Sequence, residues 1–180
     1  VGSGSLYNGH VDIGGASNKF RNIHISGSLS TGDGVTFGST SGNITSKTLD
    51  DYEEGTFTPT FQSGYNSISY GSQRGSYTKI GNTVRAFFRV ALSSATATSA
   101  AVAVAGLPFT SINNNDTYVA GTHYVNTALN PNGDNVKPIQ FYNTSLVYMY
   151  YQSTTGVTQL VGTNLGTSFD ILCTVIYEVA

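Results

Sequence analysis

The chain has 180 residues, of which only 10% are charged, and its formal net charge is -2. That balance provides no electrostatic footprint for nucleic acid, and no basic run suits an anionic membrane surface. No apolar run approaches the ~20 residues that span a bilayer, so no membrane insertion is expected.

Polarity comes instead from Ser, Thr, Asn, Gln and Gly. This composition suits strands and tight turns, and it leaves little of the Glu, Lys and Arg that normally coat helices. The opening Val1-Gly2-Ser3-Gly4-Ser5 lacks the basic and apolar regions of a signal peptide. The absence of an initiating Met suggests a piece of a longer protein.

Residues 1–48 read as one segment. Gly and Ser recur at Gly14-Gly15, Ser26-Gly27-Ser28, Thr31-Gly32-Asp33-Gly34 and Gly38-Ser39-Thr40-Ser41-Gly42. Between them lie short alternations of apolar and polar residues, Val11-Asp12-Ile13, Ile23-His24-Ile25 and Val35-Thr36-Phe37. So few large apolar side chains cannot offset the backbone entropy of ordering this length of chain alone. Either the segment is a disordered linker, or it winds with identical chains around a shared axis. Phe20, Ile23, Ile25, Leu29, Val35 and Phe37 have no use in a linker and favour the second.

Residues 49–180 are dense in strand signals. These cover Phe57–Phe61, Ser76–Ile80, Val84–Leu92, Ala101–Ala105, Tyr118–Val125, Ile139–Asn143, Leu146–Gln152, Val157–Val161 and Phe169–Val179. Turn residues punctuate them, among them Gly81-Asn82, Asn113-Asn114-Asn115-Asp116 and Asn130-Pro131-Asn132-Gly133-Asp134. Short strands at this spacing predict an all-β protein, an antiparallel sandwich of jelly-roll-like form. Phe88, Val90 and Leu92 alternate with Arg89 and Ala91. In the last strand Ile171, Cys173, Val175 and Tyr177 share one face. Its other face stays largely apolar up to Glu178, which places the strand centrally or at a subunit contact.

Catalytic and metal-binding patterns are weak. Asp50, Asp51, Glu53 and Glu54 are adjacent and would splay apart, so a solvated junction, with Asp50 or Asp51 capping backbone amides, is the simpler reading. His10, His24 and His123 lack metal-ligand spacing. Cys173, the single cysteine, has no partner for an intrachain disulfide and reads as a small buried hydrophobe. No nucleophile elbow or phosphate loop is present. No metal or cofactor is expected.

Aromatics say more: there are 12 Tyr and 9 Phe and no Trp. Tyr142, Tyr148, Tyr150 and Tyr151 crowd into two neighbouring strands. Alternation puts Tyr148 and Tyr150 on one side and Tyr151 on the other. A Tyr ring with its polar tip suits contact with sugars and proteins.

The run from Leu49 to Thr60, Leu-Asp-Asp-Tyr-Glu-Glu-Gly-Thr-Phe-Thr-Pro-Thr, resembles the opening of a receptor-binding head found in bacteriophage tail fibres. Phe57 stands where Trp is common. Tyr77-Thr78-Lys79-Ile80-Gly81-Asn82-Thr83-Val84, Gly106-Leu107-Pro108-Phe109-Thr110 and the final strand after Gly166 are similar to later parts of that head. Ile13 to Gly27 looks like the shaft element that precedes it. The resemblance implies an intertwined β shaft over residues 1–48 and a head over 49–180. It further implies a homotrimeric, non-enzymatic fibre tip on the virion, joined to the rest of the phage tail. Such a tip attaches to a polysaccharide or protein on a bacterial host surface. Receptor contacts usually sit on loops carried by a rigid scaffold. The candidates are therefore Asn113, Asn114, Asn115, Asp116 and Tyr118, Asn132 and Asp134, and Tyr142, Tyr148 and Tyr151. Two alternatives stand beside this reading: a purely structural virion fibre or decoration protein, and a polysaccharide-degrading tailspike. The tailspike would need facing carboxylates drawn from Asp116, Asp134, Asp170 and Glu178.

Overall fold

The computed structural model describes residues 22–32, 34–36, 48–49, 51–116, 118–125, 136–153 and 156–180. The chain divides into two units, Val1–Asp33 and Gly34–Ala180. In the first, residues 22–32 form no regular element, and every one of them is exposed. Ile23, Ile25 and Leu29 are 71%, 49% and 63% exposed. The alternation Ile23-His24-Ile25 thus forms no strand within the chain. Val11–Ile13 and Phe20 lie outside the described residues.

The second unit begins with a small ladder, β1 (Val35–Thr36) against β2 (Thr48–Leu49), with Val35 opposite Leu49. Two larger antiparallel sheets follow. The five-stranded sheet contains β3 (Tyr52–Phe57), β5 (Tyr65–Ile80), β6 (Thr83–Ala97), β13 (Phe169–Glu178) and β9 (Thr122–Val125), in that spatial order. The six-stranded sheet runs β4 (Thr60–Ser63), β7 (Ala103–Ala105), β11 (Val147–Ser153), β10 (Val136–Gln140) and β8 (Val119–Ala120), with β12 (Gly156–Gln159) also on β11. A single helical turn, α1 (Gly162–Leu165), precedes β13. The all-β expectation holds.

One core lies between the two sheets. From β6 it takes Val84, Ala86, Phe88, Val90 and Leu92, and from β13 Phe169, Ile171, Cys173, Val175 and Tyr177. The facing sheet contributes Phe61, Val104, Val136, Val147 and Met149. Alternation in both central strands therefore reads inward as expected. Phe61 and Phe169 meet edge to face across the sheets with centroids 5.7 Å apart.

Several strand boundaries differ from expectation, each for a physical reason. The expected strand Phe57–Phe61 is two strands in two sheets, because the chain crosses over at Thr58-Pro59 and proline cannot donate to a ladder. Tyr118–Val125 likewise splits at Gly121, where β8 leaves one sheet and β9 joins the other. A Cβ on Gly121 would sit 2.6 Å from the Thr174 carbonyl oxygen, so the crossing needs glycine. β5 is far longer than Ser76–Ile80. Its first half is Ser- and Gly-rich and pairs with β6 through register shifts between Asn66 and Ser72. Such bulges bend and twist a long strand.

Candidate functional site

The outer face of the six-stranded sheet carries an aromatic cluster. Along β11, Val147 and Met149 are fully buried and Tyr151 packs against the core, while Tyr148 and Tyr150 take the opposite parity. Pairing sets Ile139 opposite Tyr148 and Lys137 opposite Tyr150. Phe141, two residues beyond Ile139, falls on the same face as the two tyrosines. Its ring lies edge to face on Tyr148 at 5.4 Å and on Tyr150 at 5.9 Å. Tyr118, just before β8, completes the group, 5.2 Å from Phe141 and 5.9 Å from Tyr142. Edge-to-face pairs of this kind add ~0.5–1.5 kcal/mol each beyond burial, so the rings hold one another in place. Tyr118 stays 55% exposed.

The Asn-rich loop is anchored beside this cluster by Ser111. The buried Ser111 hydroxyl donates to the Phe141 carbonyl at 2.7 Å or to that of Thr144 at 3.0 Å, and accepts from the Thr144 amide. Ile112 closes the clamp, its carbonyl accepting from the Asn143 amide. Asn143 adopts φ 53, a left-handed conformation that Asn tolerates, and this turns the chain after Tyr142. Asn113, Asn114, Asn115 and Asp116 are all exposed. The Asn114 side-chain oxygen accepts from the Asp116 amide, shaping the tip.

The structure thus gathers Asn113 to Asp116, Tyr118, Tyr142 and Tyr148 at one end of one sheet face. Tyr151 points the other way. Asn132 and Asp134 lie outside the described residues. Two cluster members were not among the expected contacts, Phe141 and Tyr150. The parity shared with Tyr148 was a signal for Tyr150. Nothing local marked Phe141, which depends on the β10–β11 register. Burial, and then the neighbouring Tyr148, raise the pKa of the Tyr150 hydroxyl, which stays a neutral donor and acceptor at ordinary pH.

The acidic run has a structural role, and for Asp51 it is an ion pair rather than the expected amide cap. Asp51 pairs through its carboxylate with the nearly buried Lys79, while its backbone carbonyl accepts from the Gly81 amide. The Tyr77 hydroxyl donates to Glu53, and that of Tyr52 to Glu54. Asp50 lies outside the described residues. Lys79 also sits over the Phe109 ring, 5.8 Å from its centroid, and Tyr77 meets Phe109 edge to face at 5.3 Å. Two glycines complete the corner. Gly55 lies opposite Tyr77, and Gly75 opposite Phe57, each glycine leaving room for the facing ring. The segments around Tyr52, Tyr77 and Phe109 therefore form one clamp.

Other expected chemistry is dispersed. Asp170 is held by Arg89 in a forked contact at 2.6–3.1 Å. Among the described residues no three His, Cys, Asp or Glu side chains converge as a metal site, and no helix is long and apolar enough to cross a membrane. Cys173 is fully buried, and desolvation pushes its thiol up to about 12.

These features define an antiparallel β-sandwich with an aromatic, loop-flanked patch open to solvent. No known protein family, curated protein or solved structure matches the chain.

Proposed function

We propose that the protein is the tip of a phage tail fibre, a homotrimer that binds a polysaccharide or protein on a bacterial surface. Its jelly-roll-like head presents the patch built from Tyr118, Phe141, Tyr142, Tyr148 and Tyr150. The observation that carries this reading is that patch. Five mutually packed rings on a rigid sheet, bordered by exposed Asn and Asp side chains, can stack on pyranose faces while hydrogen-bonding their hydroxyls. Catalysis would ask instead for facing carboxylates, and Asp170 is already committed to Arg89.

Trimer formation is supported by the apolar side chains that a single chain leaves in water. Ile23, Ile25 and Leu29 in the first unit are largely exposed. In the second, Tyr124 and Ile176 on the β9–β13 side of the five-stranded sheet are 59% and 54% exposed. Packing around a three-fold axis would cover such surface.

The test is a binding screen of the purified chain against a panel of bacterial surface polysaccharides and whole cells, scoring both retention and reducing ends. Retention without release of reducing ends is expected. Release of reducing ends would establish a tailspike hydrolase. A trimer that binds nothing on the panel would favour a purely structural fibre.

A further inference from the structure

On the opposite side of the sandwich, the outer face of the five-stranded sheet carries a cleft. Alternation along β6 turns Arg85, Phe87 and Arg89 outward, away from the buried Ala86, Phe88 and Val90. The β5–β6 register sets Arg74 opposite Arg89 and Ser76 opposite Phe87, and β3 adds Thr56 opposite Ser76. Thr56, Arg74, Ser76, Phe87 and Arg89 line a cleft of about 550 Å³. A smaller neighbouring depression, also touching Ser76 and Phe87, reaches Arg85 and Glu54.

The charge arrangement is the informative part. The whole chain has eight Lys and Arg, and three of them surround one phenylalanine here. Like charges directly opposite on antiparallel strands are destabilising, yet Arg74 and Arg89 occupy such a pair of positions. Asp170 answers Arg89. Arg74 and Arg85 make no ion pair among the described residues. Asp170 offsets only one of the three guanidinium charges, and an incoming anion would offset more of the remainder.

The cleft is also preformed. Gln73 donates from Nε2 to the Pro59 carbonyl at 2.9 Å, tying down the crossover that makes the rim. Gly106 packs against the same crossover, where an added Cβ would stand 2.4 Å from the Thr58 carbonyl oxygen. Phe87 is 38% exposed and offers an apolar surface on the same sheet face as Arg85 and Arg89, two residues to either side of it.

We propose that this cleft binds an acidic sugar unit. The oxyanion sits in the planar fork of Arg74, with Arg89 flanking it. The sugar ring lies on Phe87, and the Thr56 and Ser76 hydroxyls take ring hydroxyls. The inference stands apart from the receptor patch, which lies on the other sheet and has no arginine in it.

The experiment is a calorimetric or NMR titration of the 180-residue chain with four probes: a glucuronate-containing oligosaccharide, a sugar phosphate, the neutral parent oligosaccharide and inorganic phosphate. The acidic sugar should bind, and Arg74→Gln should weaken it at least about tenfold. Added salt should weaken it too. The part of the binding that Arg74→Gln removes should be the same size in a Tyr148→Ala background, which separates this cleft from the receptor patch. If the sugar phosphate binds as well as the glucuronate, the oxyanion fork is confirmed and its source broadened. Equal binding of the neutral parent, equal binding of bare phosphate, no binding at all, or indifference to Arg74→Gln in a folded variant would each overturn the proposal.

Discussion

Gly106 and Gly81 both adopt positive φ, at 100° and 57°, but their surroundings differ. A Cβ on Gly81 would meet nothing within 4 Å, whereas one on Gly106 would strike the Thr58 carbonyl oxygen at 2.4 Å. Gly81→Ala should therefore cost only backbone strain, about 1 kcal/mol. Gly106→Ala should cost at least about 2–3 kcal/mol, because backbone must also move. Urea unfolding of the two variants checks the ordering. Cys173 gives a second residue-level expectation. Its thiol ionises near 9.0 in the unfolded chain and is pushed up to about 12 in the fold. The neutral thiol's contribution to stability is thus complete below pH 9 and is lost as pH climbs towards 12. A thiol reagent at pH 8 should leave the native protein unmodified and react at once after denaturation. Burial of this cysteine was readable from its apolar neighbours alone. The role of the acidic run was not, because Asp51 and Glu53 find Lys79 and Tyr77 only once β3 lies along β5.

Among the elements, β6 and β13 form the centre of the five-stranded sheet and present five buried side chains each to the core. Phe88→Ala should cost about 3–5 kcal/mol, read as a lowered denaturant midpoint with an unchanged slope. The β6 and β13 amides should be the slowest to exchange hydrogen, and those of the edge strands β8 and β9 among the fastest. Both central strands could be recognised in the sequence, since their apolar residues alternate without interruption. The first half of β5 could not, because Ser, Gly and Asn dominate it and its pairing is set by β6 rather than by its own propensity. Gly121 and Pro59 were visible as breaks. That each marks a change of sheet depends on long-range pairing, which no local pattern encodes.

For the whole molecule, the fold class followed from composition and strand spacing, while the gathering of the aromatic patch did not. Tyr142, Tyr148 and the Asn113–Asp116 loop stood out individually, but Phe141, which links them, acquires its place through tertiary register. Sedimentation equilibrium should give three times the 19.0 kDa chain mass, and a monomer at micromolar concentration would remove the shared-shaft argument. Replacing Ile23, Ile25 and Leu29 together by Ser should shift that equilibrium towards monomer without unfolding the head, which has its own core.

The most direct measurement is the affinity of the full chain for whichever bacterial polysaccharide or cell surface it retains, compared with that of Tyr118→Ala and Tyr148→Ala. Both side chains lie outside the buried core, so both variants should fold. The account predicts that each loses at least about tenfold in affinity, as expected for removing an aromatic anchor. Wild-type affinity in both folded variants would contradict it.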